Sequence, residues 1–292
     1  MRCMPTTLIA AAELATHLND ADWVIIDCRF DLARPDWGAQ AYAAGHIPHA
    51  LYAHLDHDLS APRTPRSGRH PLPQVEALAI TLGRFGIDER VQVIAYDQGP
   101  GAYAARLWWL LRWLDHPQVA VLDGGLAAWE RAGLPLSSAI EPRAPRRFRA
   151  SADARQVVGD SEVAQLASSG ALRTQAQLLI DARSADRFAG ENESIDPVAG
   201  HVPGARNHPF AANLDAQGRF LDPGQLREAW EKTLRGASAR QVISMCGSGV
   251  TACHNLLAME VAGLAGSRLY APSWSGWVSD PARPVAKGES PG

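Results

Sequence analysis

One cysteine of the chain stands among residues that give it room and hydrogen-bond donors. In "SMCGSGVTACHN", Ser244 to Asn255, Cys246 is followed by Gly247, Ser248, Gly249, Val250 and Thr251. The preceding "RQVI" reads as a buried strand and the following "ACHNLLAMEVAGL" as a helix, so the thiol falls at a strand-to-helix corner. A cysteine kept for packing sits on an apolar face as a small hydrophobe. At this corner, by contrast, backbone N–H groups converge on an anion. The thiolate is the reactive form of cysteine, and such a cradle favours it. The two glycines let the backbone curl around the sulfur, and Ser248 and Thr251 add hydroxyls. The corner suits a covalent cysteine intermediate.

Two chemistries use a thiolate cradled in this way. Cysteine phosphatases and arsenate reductases need C-x5-R, whose arginine grips the oxyanion; the sixth residue after Cys246 is Ala252, so that chemistry lacks its cation. The other is sulfur transfer, in which the thiolate attacks a sulfane or activated thiol sulfur, becomes a persulfide and passes the sulfur to a nucleophile. A non-enzymatic persulfide carrier would use the same cysteine without a donor site. A redox sensor would need a resolving cysteine. Cys253 lies seven residues on, about two helical turns or roughly 10 Å along an axis, which exceeds disulfide reach.

The elements that must position the cysteine occur twice. "VIIDCRF" is echoed by "LLIDARS", "AAGHIPHA" by "VAGHVPGA", "VQVIAYDQGPGAYAARLWWLL" by "RQVISMCGSGVTACHNLLAME", and "LDGGLAAW" by "YAPSWSGW". The pairs Asp27/Asp181, His46/His201, Asp97/Cys246 and Trp129/Trp277 are offset by 154, 155, 149 and 148 positions. Chance matches would not keep both order and offset, so the chain is a duplication. Asp97 occupies the cysteine position in the first copy, which is therefore expected to be catalytically silent. Within each copy short β-branched runs alternate with helical stretches, which implies parallel strands, crossover helices and a sheet covered on both faces. Ligands in such sheets bind beyond the carboxyl ends of the strands, where Cys246 falls. We place the first domain at 6–136, a linker at 137–150 and the second domain at 151–283. The linker's four arginines are expected to form a solvated strip.

The 292 residues are 46% hydrophobic and 20% charged, with a net charge of −3. This is the composition of a globular chain with a real core. It excludes the strongly basic domain that nucleic-acid binding calls for. No apolar run approaches the roughly 18 residues of a membrane span, and the N-terminus lacks a convincing signal peptide, so we expect a cytoplasmic protein. Four cysteines are too few for a disulfide scaffold. Cys3 lies near the terminus, and Cys28 reads as packing at a strand end. No metal-ligand spacing is present, and neither a metal nor another cofactor is expected.

"IIDCR" with "GHIP", "LIDAR" with "GHVPGA", then "LDGG", "CGSGVTAC" and "SWSGW" together resemble the tandem-domain rhodanese/sulfurtransferase family from about residue 6 to 283. The resemblance implies two α/β domains, each a five-stranded parallel sheet flanked by helices, with the cysteine kept in the second. Family members that take thiosulfate carry basic side chains after the cysteine. The neutral loop here is similar to that of members taking 3-mercaptopyruvate, whose cleavage releases pyruvate. The resemblance further implies that Ser248, His70 and Asp56 form a polar relay between the two domains. This relay would polarise the substrate ketone or protonate the departing enolate. It also implies that Arg187 grips the donor's carboxylate with a bidentate fork, beside the backbone of Gly247, Gly249, Val250 and Thr251. Arg183 is expected to pair with Asp181, and Arg29 with Asp27. Mercaptopyruvate members carry a second arginine about nine residues after the first, in a "PEPR"-like stretch. Here that stretch is "ENESIDPVAG", without a basic residue, which keeps thiosulfate as the alternative donor. The implied partners are a small-molecule sulfur donor and an acceptor such as thioredoxin, another thiol or cyanide, with no nucleic acid and no membrane. Trp108, Trp109 and Trp113 read as core and domain interface, and Trp274 and Trp277 as residues of a loop near the cysteine pocket.

Overall fold

Short β-branched runs alternate with amphipathic stretches twice along the chain, and each alternation closes on a parallel sheet. The structure is a computed structural model that describes residues 4–290; Cys3 lies outside the described residues. The first sheet contains β1 (Leu8–Ile9), β2 (Trp23–Asp27), β3 (Leu51–Tyr52), β4 (Gln92–Tyr96) and β5 (Val119–Leu122), in the order β1-β5-β4-β2-β3. The second contains β6 (Val157–Val158), β7 (Leu178–Asp181), β8 (Arg206–Asn207), β9 (Val242–Met245) and β10 (Arg268–Tyr270), in the order β6-β10-β9-β7-β8. The two orders are the same, and every pairing is parallel.

Period-two alternation sends successive side chains to opposite faces. Leu179, Ile243 and Met245 enter one apolar cluster with Tyr270, Trp274 and Trp277. Leu178, Ile180 and Val242 enter another with Trp230, Leu234 and Met259. Both faces of the second sheet are thus covered, as a parallel sheet requires.

The chain divides into two compact units that are not simple halves. Unit 1 comprises the chain through Ala61, Leu72–Asp153 and Asp215–Phe220; unit 2 comprises Pro62–Pro71, Ala154–Leu214 and the chain from Leu221 onward. The segment expected as a linker is structured against unit 1. Arg146 bonds both carboxylate oxygens of Asp88 at 3.3 Å, Arg143 donates to the Trp23 carbonyl at 3.0 Å, and Phe148 is buried. Two of the four arginines expected to be solvated therefore have fixed partners.

The repeated motifs are repeated devices. The strand-end carboxylates Asp27 and Asp181 each hold the arginine two residues on by a fork, with closest N···O distances of 2.6 and 2.7 Å. Each arginine then donates to the carbonyl of a glycine, Gly45 or Gly200. His46 and His201 hydrogen-bond through Nδ1 to the carbonyls of Tyr42 and Phe188 and stack on those same rings. Trp129 and Trp277 donate to the carbonyls of Pro135 and Pro284. These polar residues are architecture.

In unit 1 the corner after β4 is closed by its own side chain. The Asp97 carboxylate accepts from the backbone N–H groups of Gly99, Gly101, Tyr103 and Ala104 at 2.8–3.3 Å. Burial pushes its carboxyl up and the four amides pull it down, with burial prevailing. Asp97→Ala would strand four amide donors while removing one desolvated carboxylate. We expect a loss of about 2–4 kcal/mol, since an orphaned buried donor costs roughly 1–3 kcal/mol and desolvation offsets part of the sum. Urea denaturation reads this directly, and the chemistry of the Cys246 corner should be unchanged.

Candidate active site

The second corner is built on the loop between β9 and the helix Thr251–Val261. Cys246 is buried. The Gly249 N–H points at its sulfur, with N···Sγ 3.1 Å. Gly249 has φ +78°, and a Cβ there would lie 2.4 Å from the Ala271 carbonyl oxygen, so only glycine brings this amide onto the sulfur. A short helix, Ser273–Trp277, grips the loop from behind. Ser273 Oγ accepts the Cys246 N–H at 3.1 Å, Trp274 N–H donates to the Cys246 carbonyl and Ser275 N–H to the Gly247 carbonyl, both at 2.9 Å. Ser273 holds a left-handed φ of +54°, a conformation that costs a non-glycine residue. The "SWSGW" stretch is therefore a helix rather than the expected loop. Trp274 and Trp277 are fully buried in the core cluster. Ser273 was not anticipated from the sequence, and its only local signal is the motif it belongs to.

Ser248 and His70 are both buried and share a hydrogen bond, Nδ1···Oγ 2.7 Å, across 178 residues of chain. Both belong to unit 2, because residues 62–71 are part of it. Asp56 belongs to unit 1, where its backbone N–H donates to His54 Nδ1 at 3.1 Å. Val250 is buried at the helix cap, and Thr251, half-buried, is the first residue of the helix.

The helix starts at Thr251, so Cys253 lies in its first turn, and the expected two-turn separation from Cys246 does not apply. Both sulfurs hydrogen-bond to the backbone of Gly249. Its N–H donates to Cys246, while its carbonyl accepts from Cys253 Sγ at 3.3 Å. Cys28, Cys246 and Cys253 are all thiols. Burial, then the Asp27 charge, pushes the Cys28 thiol well up, in keeping with a packing role.

Three arginines of unit 2 are held by carboxylates, and two of them, Arg69 and Arg187, approach the loop. Arg183 is taken up by Asp181 and lies over the Trp274 ring at 4.7 Å. Arg187, on the helix Ala185–Ala189, forks onto Glu193 at 2.9–3.2 Å and reaches Asp196 at 3.2 Å. Burial pushes the Glu193 carboxyl up, but the Arg187 bonds and the Ile195 and Asp196 amides outweigh it and hold it below its usual range. The "ENESIDPVAG" stretch thus presents carboxylates that orient cations. The third arginine was missed by sequence reasoning. Arg69 Nη1 pairs with Asp196 Oδ1, and its backbone N–H donates to Ser275 Oγ at 3.0 Å. A Cβ on Gly247 would lie 2.7 Å from Arg69 Nη2 and 3.6 Å from Arg187 Nη2. The loop is neutral in sequence, and in space two guanidinium groups, each paired with a carboxylate, stand beside Gly247. Among the described residues no group of side chains could hold a metal ion, and no helix is long and apolar enough to cross a membrane.

A family model described as the rhodanese-like domain matches residues 10–132 and again 161–280. A Pseudomonas aeruginosa protein provisionally named 3-mercaptopyruvate sulfurtransferase is 48% identical over 97% of this chain and 98% of its own. A Mycobacterium tuberculosis protein provisionally named thiosulfate sulfurtransferase SseB is 38% identical over 99% of both. The crystal structure of SseA, the Escherichia coli 3-mercaptopyruvate sulfotransferase, aligns with a TM-score of 0.79 at 32% identity. That alignment covers 93% of this chain and all of the other. With both units matched by one domain family and relatives aligned from end to end, the chain belongs to the tandem-domain rhodanese/sulfurtransferase family.

Proposed function

We propose that the chain is a sulfurtransferase whose Cys246 takes sulfur from 3-mercaptopyruvate and hands it to a thiol or cyanide acceptor. One observation carries the reading: a buried sulfur receives a backbone N–H at 3.1 Å, and the same loop holds a hydroxyl, Ser248 Oγ, fixed by His70 at 2.7 Å. In the forward half-reaction the thiolate attacks the donor's thiol sulfur. The C–S bond breaks, its electron pair leaves as the enolate of pyruvate, and Cys246 is left as the persulfide. The enolate takes up a proton to become pyruvate. An acceptor nucleophile then attacks the outer sulfur and restores the thiolate.

Ser248 is the residue of the loop that can meet the donor's ketone, with its hydroxyl fixed by His70. Ser248→Ala is expected to lower kcat/KM for mercaptopyruvate by about 10- to 100-fold, the scale of one lost general-acid or oxyanion contact. Thiosulfate turnover should fall much less, because sulfite departs without needing that proton. Steady-state rates with both donors, side by side, test this. Equal losses would mean that Ser248 only shapes the cradle.

Thiosulfate is the second reading, and the two guanidinium groups over Gly247 favour it. They stand beside Gly247, the residue after the cysteine, and offer an anionic donor the hydrogen-bond donors that the loop sequence itself lacks. A wild-type protein with the higher kcat/KM on thiosulfate would reverse the order of the two donors.

A further inference from the structure

Arg69 stands nearest the nucleophile's neighbour, and its hydrogen bonds leave its inner edge unused. Nη1 is committed to Asp196. Nε is buried with no hydrogen-bond partner, and Nη2 faces the space a side chain at position 247 would fill. Arg187 is arranged in the same sense. Its Nε and Nη2 are held by Glu193 and Asp196, while Nη1 lies 3.8 Å from that space. A buried guanidinium N–H without a partner is costly, and it marks where a ligand's acceptor atoms belong. Asp196 touches both arginines, at Arg69 Nη1 and Arg187 Nη2, and so fixes the spacing of the two inner edges. It also stands nine positions after Arg187, where a second cation was sought.

Resting on the sulfur-transfer reading, we propose that Arg69, held by Asp196, is the second anion-binding residue of the donor site. In this assignment Arg69 and Arg187 grip the carboxylate of an organic sulfur donor, or the sulfonate end of thiosulfate, between them. Asp196 is a positioning residue that orients the pair. The cation comes from residues 62–71, across 127 positions of chain, and not from the stretch that follows Arg187.

Two measurements on the full chain test this. The first is steady-state turnover of Arg69→Ala, Arg69→Lys and, as a control, Arg66→Ala, whose residue is exposed in the same segment. Arg69→Ala should lower kcat/KM by about 10- to 100-fold with either anionic donor, mostly through KM, the scale of a lost charge-assisted contact. Arg69→Lys should recover part of it, and Arg66→Ala should match wild type. The second is the ratio of Cys246 alkylation rates by iodoacetate and iodoacetamide, which cancels changes in the thiol's own reactivity. Arg69→Ala should lower that ratio by about tenfold, the charge-assisted contact again being the scale. If Arg69→Ala fails to fold, Arg69→Lys carries the test, and an unchanged ratio and KM would overturn the proposal. Turnover that is insensitive to Arg69 would overturn this assignment alone. A ratio that depends on Arg69, with no turnover of either donor, would support the anion site and sink the sulfur-transfer reading.

Discussion

Cys246→Ser is expected to abolish turnover with every sulfur donor. A serine hydroxyl is almost wholly protonated near neutral pH, and an alkoxide oxygen cannot carry sulfur as a persulfide. The substitution is small, and the loop's backbone bonds to Ser273, Trp274 and Ser275 involve main-chain atoms of residues 246 and 247. The variant should therefore fold, and the loss will be chemical. Intact-mass measurement after donor treatment should show one added sulfur on wild type and none on the variant. Cys253 is a buried thiol beneath the same loop, so peptide mapping should place the sulfur on Cys246 alone. Appreciable turnover by the serine variant would sink the mechanism.

The second large effect belongs to Arg187. Its alanine variant is expected to lose about 30- to 1000-fold in kcat/KM, corresponding to roughly 2–4 kcal/mol for a lost charge-assisted contact from Nη1 together with the repulsion of Glu193 and Asp196, which Arg187 otherwise neutralises. The loss should appear chiefly in KM, since a carboxylate remote from the breaking bond is held alike in ground and transition states. Arg187→Lys should recover only part, because an ammonium cannot hold Glu193 by a fork and reach the donor with a further N–H at once. Glu193 keeps Arg183 and two backbone N–H groups, so Arg187→Ala should leave the local loop largely in place. A folded alanine variant with unchanged KM would show that the donor's charge is held elsewhere, with Arg69 the first place to look.

Much of this protein is written in local pattern. The parallel sheets and the strand-end Asp–Arg pairs follow from residues one to a few positions apart, and the duplication from the same local patterns recurring in order 148 to 155 positions on, relations that survive in a linear reading. The proposed nucleophile was legible for the same reason: its cradle is built from the residues that follow it, and a glycine at 249 is demanded by the chain's own turn. The contrast between the two corners is also local, since Asp97 fills with its carboxylate the amide corner that Cys246 fills with sulfur. What the tertiary structure alone decided is where the charge beside that sulfur comes from. Read along the chain, "CGSGVTA" is neutral and "ENESID" is acidic, which together suggest a site short of cations. In space Asp196 and Glu193 hold Arg69 and Arg187 over Gly247. An ion pair depends on distance and not on sequence separation, so its cation can come from either side of the pair without leaving any spacing to read. His70 reached Ser248 by the same route, carried into unit 2 with residues 62–71. A sequence pattern shows what each segment can become; which segments meet is decided by the burial of distant surfaces together.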